Sequence, residues 1–428
     1  VNERPPAAHG RHPVIGHTVS LLRGPLDAIQ RWGRTDEDLV RLQIAGQTMV
    51  LVTAPDPAKQ VLATDSESYQ KAELVRDRLG TLQGNSLVLL EGQQWRDRRQ
   101  TLQPAFRPAE VSATGAVATD HAREMVATWG PGASIRVVDE TRTFVLGVLA
   151  EALFGLELRN EQTPIHEAAT DILARLDLRS PSTYLPEWVP TPTNRRFQRA
   201  VSTLHDRLDV VVDDGGSDDS LLGRMRAAGL SSSEMRDELI ALLFAGYDST
   251  ATALSCTLGL LGTHPQIQAD LRRDLAVSLD GTPTAEDVHS LDVLDAVVEE
   301  SLRLYPPQYL LFREPTADTT LAGYQVSAGT PVVVAPWVLH RDPTFWEAPS
   351  AFRPERWLDG GPDCPEYAYL PYGGGPRYCL GANMADQLLR LAVAVVCQHG
   401  RFRASEPVSV TAGPTLAVDE TLRLRLTD

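Results

Sequence analysis

Lysine is almost missing from this 428-residue chain: it occurs only at Lys59 and Lys71, so arginine supplies nearly all the positive charge. A high-GC genome and adaptation to a salty cytoplasm would each produce that bias. Acidic residues outnumber basic ones, 56 to 40, giving a net charge of −16. Such a field repels phosphate backbones and anionic membrane surfaces, so no nucleic-acid partner is expected. Cysteine is sparse as well. Cys256, Cys364, Cys379 and Cys397 form no C-x-x-C pair and no even framework of spacings, which argues against a structural zinc site or a disulfide scaffold and suits a reducing cytoplasm. No run reaches the roughly 18 uninterrupted apolar residues that a transmembrane segment needs. The opening Val1 to Gly16 holds Pro5, Pro6 and Pro13 but no apolar signal core. Internal repeats and low-complexity tracts are also lacking.

What remains is an ordinary globular composition, 43% hydrophobic and 22% charged, with ample material for a large core. The length allows two domains or one large unit. Leu39 to Val52 alternates and is rich in Val, Leu and Ile, which predicts a β-hairpin with its turn at Gly46-Gln47. Helical periodicity dominates from Glu110 to Gly223, interrupted by the Pro-rich Pro181 to Pro192 and the acidic Asp213 to Asp219. Ser231 with Glu234 three residues on is a capping-box signature, and no proline follows until Pro265, so one helix is expected across the interval, about 48 Å long at about 1.5 Å per residue. A second helix, Val293 to Leu304, should stop at Pro306-Pro307. Short β-like runs at Leu321 to Val326 and Pro331 to Val334, a Gly-rich loop and an apolar helix from Ala382 to Val396 complete the chain.

Four groups of residues point to chemistry. The first is the loop Pro371-Tyr372-Gly373-Gly374-Gly375-Pro376-Arg377-Tyr378-Cys379-Leu380-Gly381. Consecutive glycines permit positive φ and close approach to a flat ligand, and a helix starting after the cysteine would favour a thiolate. Arg377 suits a ligand carboxylate. The bland alternative is a buried free cysteine after a flexible turn. The second group is Glu300-Ser301-Leu302-Arg303, whose i, i+3 ends share a helix face, with Pro354-Glu355-Arg356-Trp357 downstream. Alone it would read as a surface ion pair of little consequence. The third, Ala245-Gly246-Tyr247-Asp248-Ser249-Thr250, places an acid and two hydroxyls within an apolar helix, where a kinked core helix is the competing account. The fourth is Trp95-Arg96-Asp97-Arg98-Arg99, in which Trp95 and Arg99 share a face; simple packing or a cation-π contact is the alternative.

Together and in this order, these groups resemble the cytochrome P450 family. Its F-x-x-G-x-R-x-C-x-G loop maps onto Tyr372, Gly375, Arg377, Cys379 and Gly381, with Tyr372 in place of the usual Phe; its E-x-x-R and P-E-R elements map onto Glu300, Arg303 and Arg356. Its A-G-x-[DE]-T motif maps onto Ala245, Gly246, Asp248 and Ser249, with serine for threonine and Thr250 following. The resemblance implies a mainly α fold with a small β lobe, a triangular α-rich prism holding haem b between the long helix and the helix after the cysteine loop. It also implies a single domain over 1–428, with a β-rich part at about 35–65, a helical body at about 66–305 and a mixed β and cysteine-loop region at about 306–428.

Cys379 would ligate the haem iron; Trp95, Arg99, Arg313 and Arg377 would hold the propionates; and Glu300, Arg303 and Arg356 would brace the loop. Asp248, Ser249 and Thr250 would handle protons. The implied reaction inserts one atom of dioxygen into a C–H or C=C bond. Electrons would come from a ferredoxin or flavodoxin with its reductase, docked with the help of Arg96 and Arg98. A haem-thiolate peroxygenase or isomerase, and a non-catalytic haem gas sensor, are the rival readings. By family position the substrate-lining segments are Leu74 to Val88, Leu178 to Arg196, Tyr309 to Leu311 and Thr415-Leu416, with Leu74, Leu82, Leu87, Phe244, Tyr309, Leu310, Leu311 and Leu416 as the named candidates, and Asp177 beside a polar end. They suit a fatty acid, terpenoid or carotenoid. Trp95 to Arg99, Trp188 to Phe197 and Glu300 to Pro307 lean toward fatty-acid and carotenoid hydroxylases. A cytoplasmic monomer is expected.

Overall fold

The computed structural model describes residues 4–155, 164–176, 182, 185–214 and 220–427. Residues 177–181, 183–184 and 215–219, which include Asp177 and parts of two segments discussed above, lie outside that set. The chain divides into two compact units, each assembled from two stretches: Val1–Arg78 with Glu299–Cys379, and Leu79–Val298 with Leu380–Asp428.

The first unit is built on a five-stranded sheet in the order Leu39–Ile44, Gln47–Val52, Val332–Val334, Leu311–Pro315, Tyr69–Gln70. The expected hairpin forms, but its turn is Ala45-Gly46, both at positive φ, one residue earlier than Gly46-Gln47. Two positive φ values match the twist of paired strands, and Ala45 accepts the strain. Leu321 to Val326 is likewise not one strand. It spans a second hairpin, Thr319–Leu321 with Tyr324–Val326, turning at Ala322-Gly323. Leu39, Val50, Val52, Val332, Val334, Leu321, Val326 and Leu370 form one buried cluster under the sheet.

The second unit is helical. Its longest element, Ser232–Thr263, has 32 residues and carries the complete capping box at Ser231 and Glu234. It packs mainly against the helix Val137–Phe154, where the Thr141 and Ser255 hydroxyls meet at 2.7 Å. Near its C-terminal end Gly262 lets the strand Arg401–Ala404 approach, since a Cβ there would stand 2.6 Å from the Ala404 nitrogen. This helix is the one described helix long and apolar enough to cross a membrane, yet 78% of its apolar window is buried against protein, as in a core helix. The helix Asp292–Leu304 ends before Pro306, and Ala382–His399 follows the cysteine loop. A three-stranded sheet that includes Ser134–Arg136 was not anticipated within the helical body.

Candidate functional site

In the first unit the cysteine loop is shaped by constraints at its three consecutive glycines. Gly373 and Gly375 have positive φ, and a Cβ on Gly375 would sit 1.9 Å from the Leu62 carbonyl oxygen. Gly374 is extended; there the ring of Tyr367 fills the space a side chain would need. The Tyr378 amide donates to Gly375 O at 3.0 Å and the Cys379 amide donates to Tyr372 O at 3.0 Å, so the loop closes on itself and turns Cys379 outward. Of the four cysteines Cys379 is the exposed one, Cys256 and Cys397 are buried, and burial pushes the Cys397 thiol up to about 12. A thiolate is the form that ligates metal, and Cys379 is the most accessible of the four. Leu311 lies beside Gly373, Arg313 is half-buried on the same strand, and Arg377 closes the short 3₁₀ turn, also half-buried.

The E-x-x-R pair is far from a surface ion pair. Glu300 and Arg303 are both fully buried, with Arg303 Nε and Nη2 each donating to the carboxylate at 2.8 Å. The same carboxylate accepts from Arg356 Nε at 3.1 Å, the Arg353 amide at 3.0 Å and Trp357 Nε1 at 2.9 Å. Arg303 in turn donates to the carbonyls of His340, Pro349 and Ala351. His340 completes the brace: Nδ1 faces Arg303 O at 3.1 Å, and Nε2 accepts the Leu370 amide at 2.7 Å. Burial lowers its pKa to about 3, so it is a neutral ring with a fixed tautomer. Leu370 immediately precedes the loop. Trp357 and His340 were not singled out in the sequence, although the Trp sits directly after Arg356.

In the second unit the middle of the long helix presents an accessible stripe on an otherwise buried element. Ala245 is exposed and Leu242, Gly246 and Ser249 are half-buried, whereas Leu243, Phe244, Tyr247, Asp248 and Thr250 are buried. Spacings of three and four put the accessible positions on one face. Ser249 Oγ donates to Ala245 O at 2.6 Å, and the helix continues without a break. Asp248 points elsewhere: Thr415 donates a hydrogen bond to it, and Arg142 Nη2 lies 3.7 Å from its other oxygen. Burial raises the Asp248 pKa, while Thr415 and Arg142 oppose the shift. Arg142 also reaches the exposed Glu420 at 3.5 Å.

Trp95 and Arg99 share one side of the helix Gly92–Leu102 and line a cavity of about 310 Å³ together with Arg96, Gln103 and Arg107. Arg98 does not join them. It is buried, donating to Glu238 Oε1 at 2.5 Å, to Glu234 Oε1 at 2.9 Å and to Asn85 O at 3.1 Å. Its assignment to partner docking is therefore corrected: two carboxylates and a carbonyl enclose its guanidinium inside the protein. Among the lining candidates Leu82, Leu87, Phe244, Tyr309 and Leu416 are buried, and Leu74, Leu310 and Leu311 are half-buried.

The residues of the first unit fit a haem: Cys379 is an accessible soft thiol, and Arg313 and Arg377 are half-buried cations suited to carboxylates. In the second unit the helix stripe carries no side chain larger than a hydroxymethyl at Ala245, Gly246 and Ser249. Residues 5–411 match the family described as Cytochrome P450. The chain is 32% identical, over 92% of its length and 89% of the relative's, to cyclooctat-9-en-7-ol 5-monooxygenase of Streptomyces melanosporofaciens. It is 28% identical to the pentalenene oxygenase of Streptomyces avermitilis, covering 98% of this chain and 96% of that one. The crystal structure of the cytochrome P450DA haem domain superposes with a TM-score of 0.89 at 24% identity, covering 100% of this chain and 98% of that one.

Proposed function

Because the chain belongs to the cytochrome P450 family and is a monooxygenase, we propose that it oxidises a lipophilic terpenoid with Cys379 as the thiolate ligand of haem b. When bound, the haem activates dioxygen and supplies the oxygen atom transferred to substrate. The observation that carries the reading is Cys379 itself: an exposed cysteine at the end of a loop fixed by its own amides, next to a buried five-donor brace on Glu300. Arg313 and Arg377 of the first unit, and Trp95 and Arg99 of the second, are the residues that would pair with propionates. Ser249 Oγ, anchored by its donation to Ala245 O, would accept and pass on protons at the reacting face, and Asp248 would resupply them from solvent along Arg142 and Glu420. Of the three substrate classes suggested by the sequence, the two Streptomyces relatives favour the terpenoid over the fatty acid or carotenoid. We infer that a ferredoxin or flavodoxin with its reductase delivers the electrons. We place this chemistry in the cytoplasm, in a monomer acting as one domain over both units.

The ferrous protein with CO should show the strongly red-shifted Soret band of a thiolate ligand, and Cys379→Ser should lose it. Cyclic terpenoids should shift the ferric Soret band, and NADH with a donor system should then yield hydroxylated product. A spectrum unchanged in Cys379→Ser would remove the assignment of the ligand. Absence of product with every donor system, despite tight terpenoid binding, would favour a gas sensor.

A further inference from the structure

The opening segment of the chain is pinned to the first hairpin by a buried histidine. The His17 amide donates to Gln43 O at 2.6 Å, its Nδ1 accepts the Gln43 amide at 2.9 Å, and its Nε2 meets Ala8 O at 3.0 Å. The segment also pairs with the strand Leu39–Ile44, with the Arg41 amide donating to Pro6 O at 2.7 Å and the Ala8 amide to Arg41 O at 3.0 Å. The result brings Arg4 and Arg11 to the same cavity as Arg41, a space of about 430 Å³ in the first unit. Its lining contains no Asp or Glu. Among the described residues no carboxylate pairs with any of the three arginines. In a chain of net charge −16, three arginines unpaired with any described carboxylate line this one space.

The other lining groups define the ligand further. Ser327 and Thr330 contribute hydroxyls that bond to no described side chain or carbonyl, while Val50 and Val326 supply an apolar floor. Guanidinium forks match the oxygens of a phosphate bidentately, and hydroxyls can donate to a third oxygen. The volume is several times what a bare phosphate fills, and the apolar floor favours an organic group attached to it. We propose that this cavity binds the phosphate monoester of a small organic molecule, held by Arg4, Arg11 and Arg41 and by the hydroxyls of Ser327 and Thr330.

The test uses the full haem-loaded chain and two probes, inorganic phosphate and phenyl phosphate, followed by calorimetry at low salt. Phenyl phosphate should bind at one site per chain, more tightly than inorganic phosphate, with affinity falling as salt is raised and with no shift of the Soret band. The double variant Arg11→Ser, Arg41→Ser should weaken it by about tenfold or more. The pair Ser327→Ala, Thr330→Val should weaken it less. An unchanged ferrous-CO spectrum and melting temperature would show that both variants fold. No saturable binding at millimolar phenyl phosphate, or equal affinity in the arginine variant, would overturn the site. Retention on phosphatidylglycerol vesicles without phenyl phosphate binding would overturn it too, by assigning the arginines to a lipid surface.

Discussion

At the scale of single residues, the departures from the family pattern are where behaviour should differ. Ser249 keeps a hydroxyl but lacks the methyl that restricts a threonine rotamer, and it holds its geometry by donating to Ala245 O. Thr250, about 100° further round the helix, is buried. Ser249→Ala should therefore raise peroxide released per NADH consumed, Thr250→Ala should do so less, and Ser249→Thr should equal or improve wild-type coupling. Asp248→Asn should instead slow turnover, by up to about a hundredfold for a lost proton-transfer group. Full coupling and full rate in both Ser249→Ala and Asp248→Asn would mean that protons take another route. Glu238 makes a different demand. Burial raises its carboxyl to about 7, against the pull of Arg98 and the Leu87 amide, and its Oε2 has no partner among the described residues. The folded state thus keeps a proton that the unfolded chain, at about 4.5, gives up. Stability should fall as pH rises from about 4.5 through about 7. Denaturation midpoints across that range should show the slope, and Glu238→Gln should flatten it.

At the scale of elements, the brace on Glu300 explains how a weak sequence signal becomes a strong structural one. Glu300→Ala leaves Arg303 buried at full depth without its carboxylate, and breaking such a pair costs about 3–5 kcal/mol. Trp357→Phe removes one donor to a charged acceptor and should cost about 1.5–3 kcal/mol. Both should show in urea unfolding, and loss of the ferrous-CO thiolate band should accompany Glu300→Ala, because His340 and Leu370 tie the same network to the cysteine loop. The i, i+3 spacing made the pair legible in the sequence. Its burial was not, since that depends on Trp346, Trp357 and the carbonyls of Pro349 and Ala351, all supplied from about 45 or more residues downstream. The long helix was legible from end to end because its capping box and the next proline are local signals. The turn of the first hairpin was expected one residue late and the second hairpin was read as a single β-like run, because a strand pattern says little about which residues accept positive φ, and here Ala45 and Ala322 do so beside glycine. The pairing of Gln47–Val52 with Val332–Val334 joins segments 280 residues apart, which no local pattern encodes.

At the scale of the whole molecule, the net charge of −16 sets the terms for meeting an acidic electron donor, because two acidic proteins repel at long range. A local positive region must orient the encounter. Arg96, Arg98, Arg99 and Arg107 lie within twelve residues of one another, and the structure divides them. Arg98 is spent internally on Glu234 and Glu238, while Arg96, Arg99 and Arg107 surround the cavity of about 310 Å³ beside Trp95. With Arg99 assigned to a propionate, Arg96 and Arg107 remain to meet the donor, and both are exposed. Arg96→Glu with Arg107→Glu should therefore slow association with an acidic ferredoxin by about tenfold at low ionic strength. The gap should narrow as salt is raised, since the screening length shrinks to about 3 Å at about 1 M. Arg98→Glu should behave otherwise. It sets a third carboxylate against Glu234 and Glu238 and should lower the melting temperature. Stopped-flow reduction at several salt concentrations separates the two effects, and an association rate unchanged in the Arg96, Arg107 double variant would place the donor on another face.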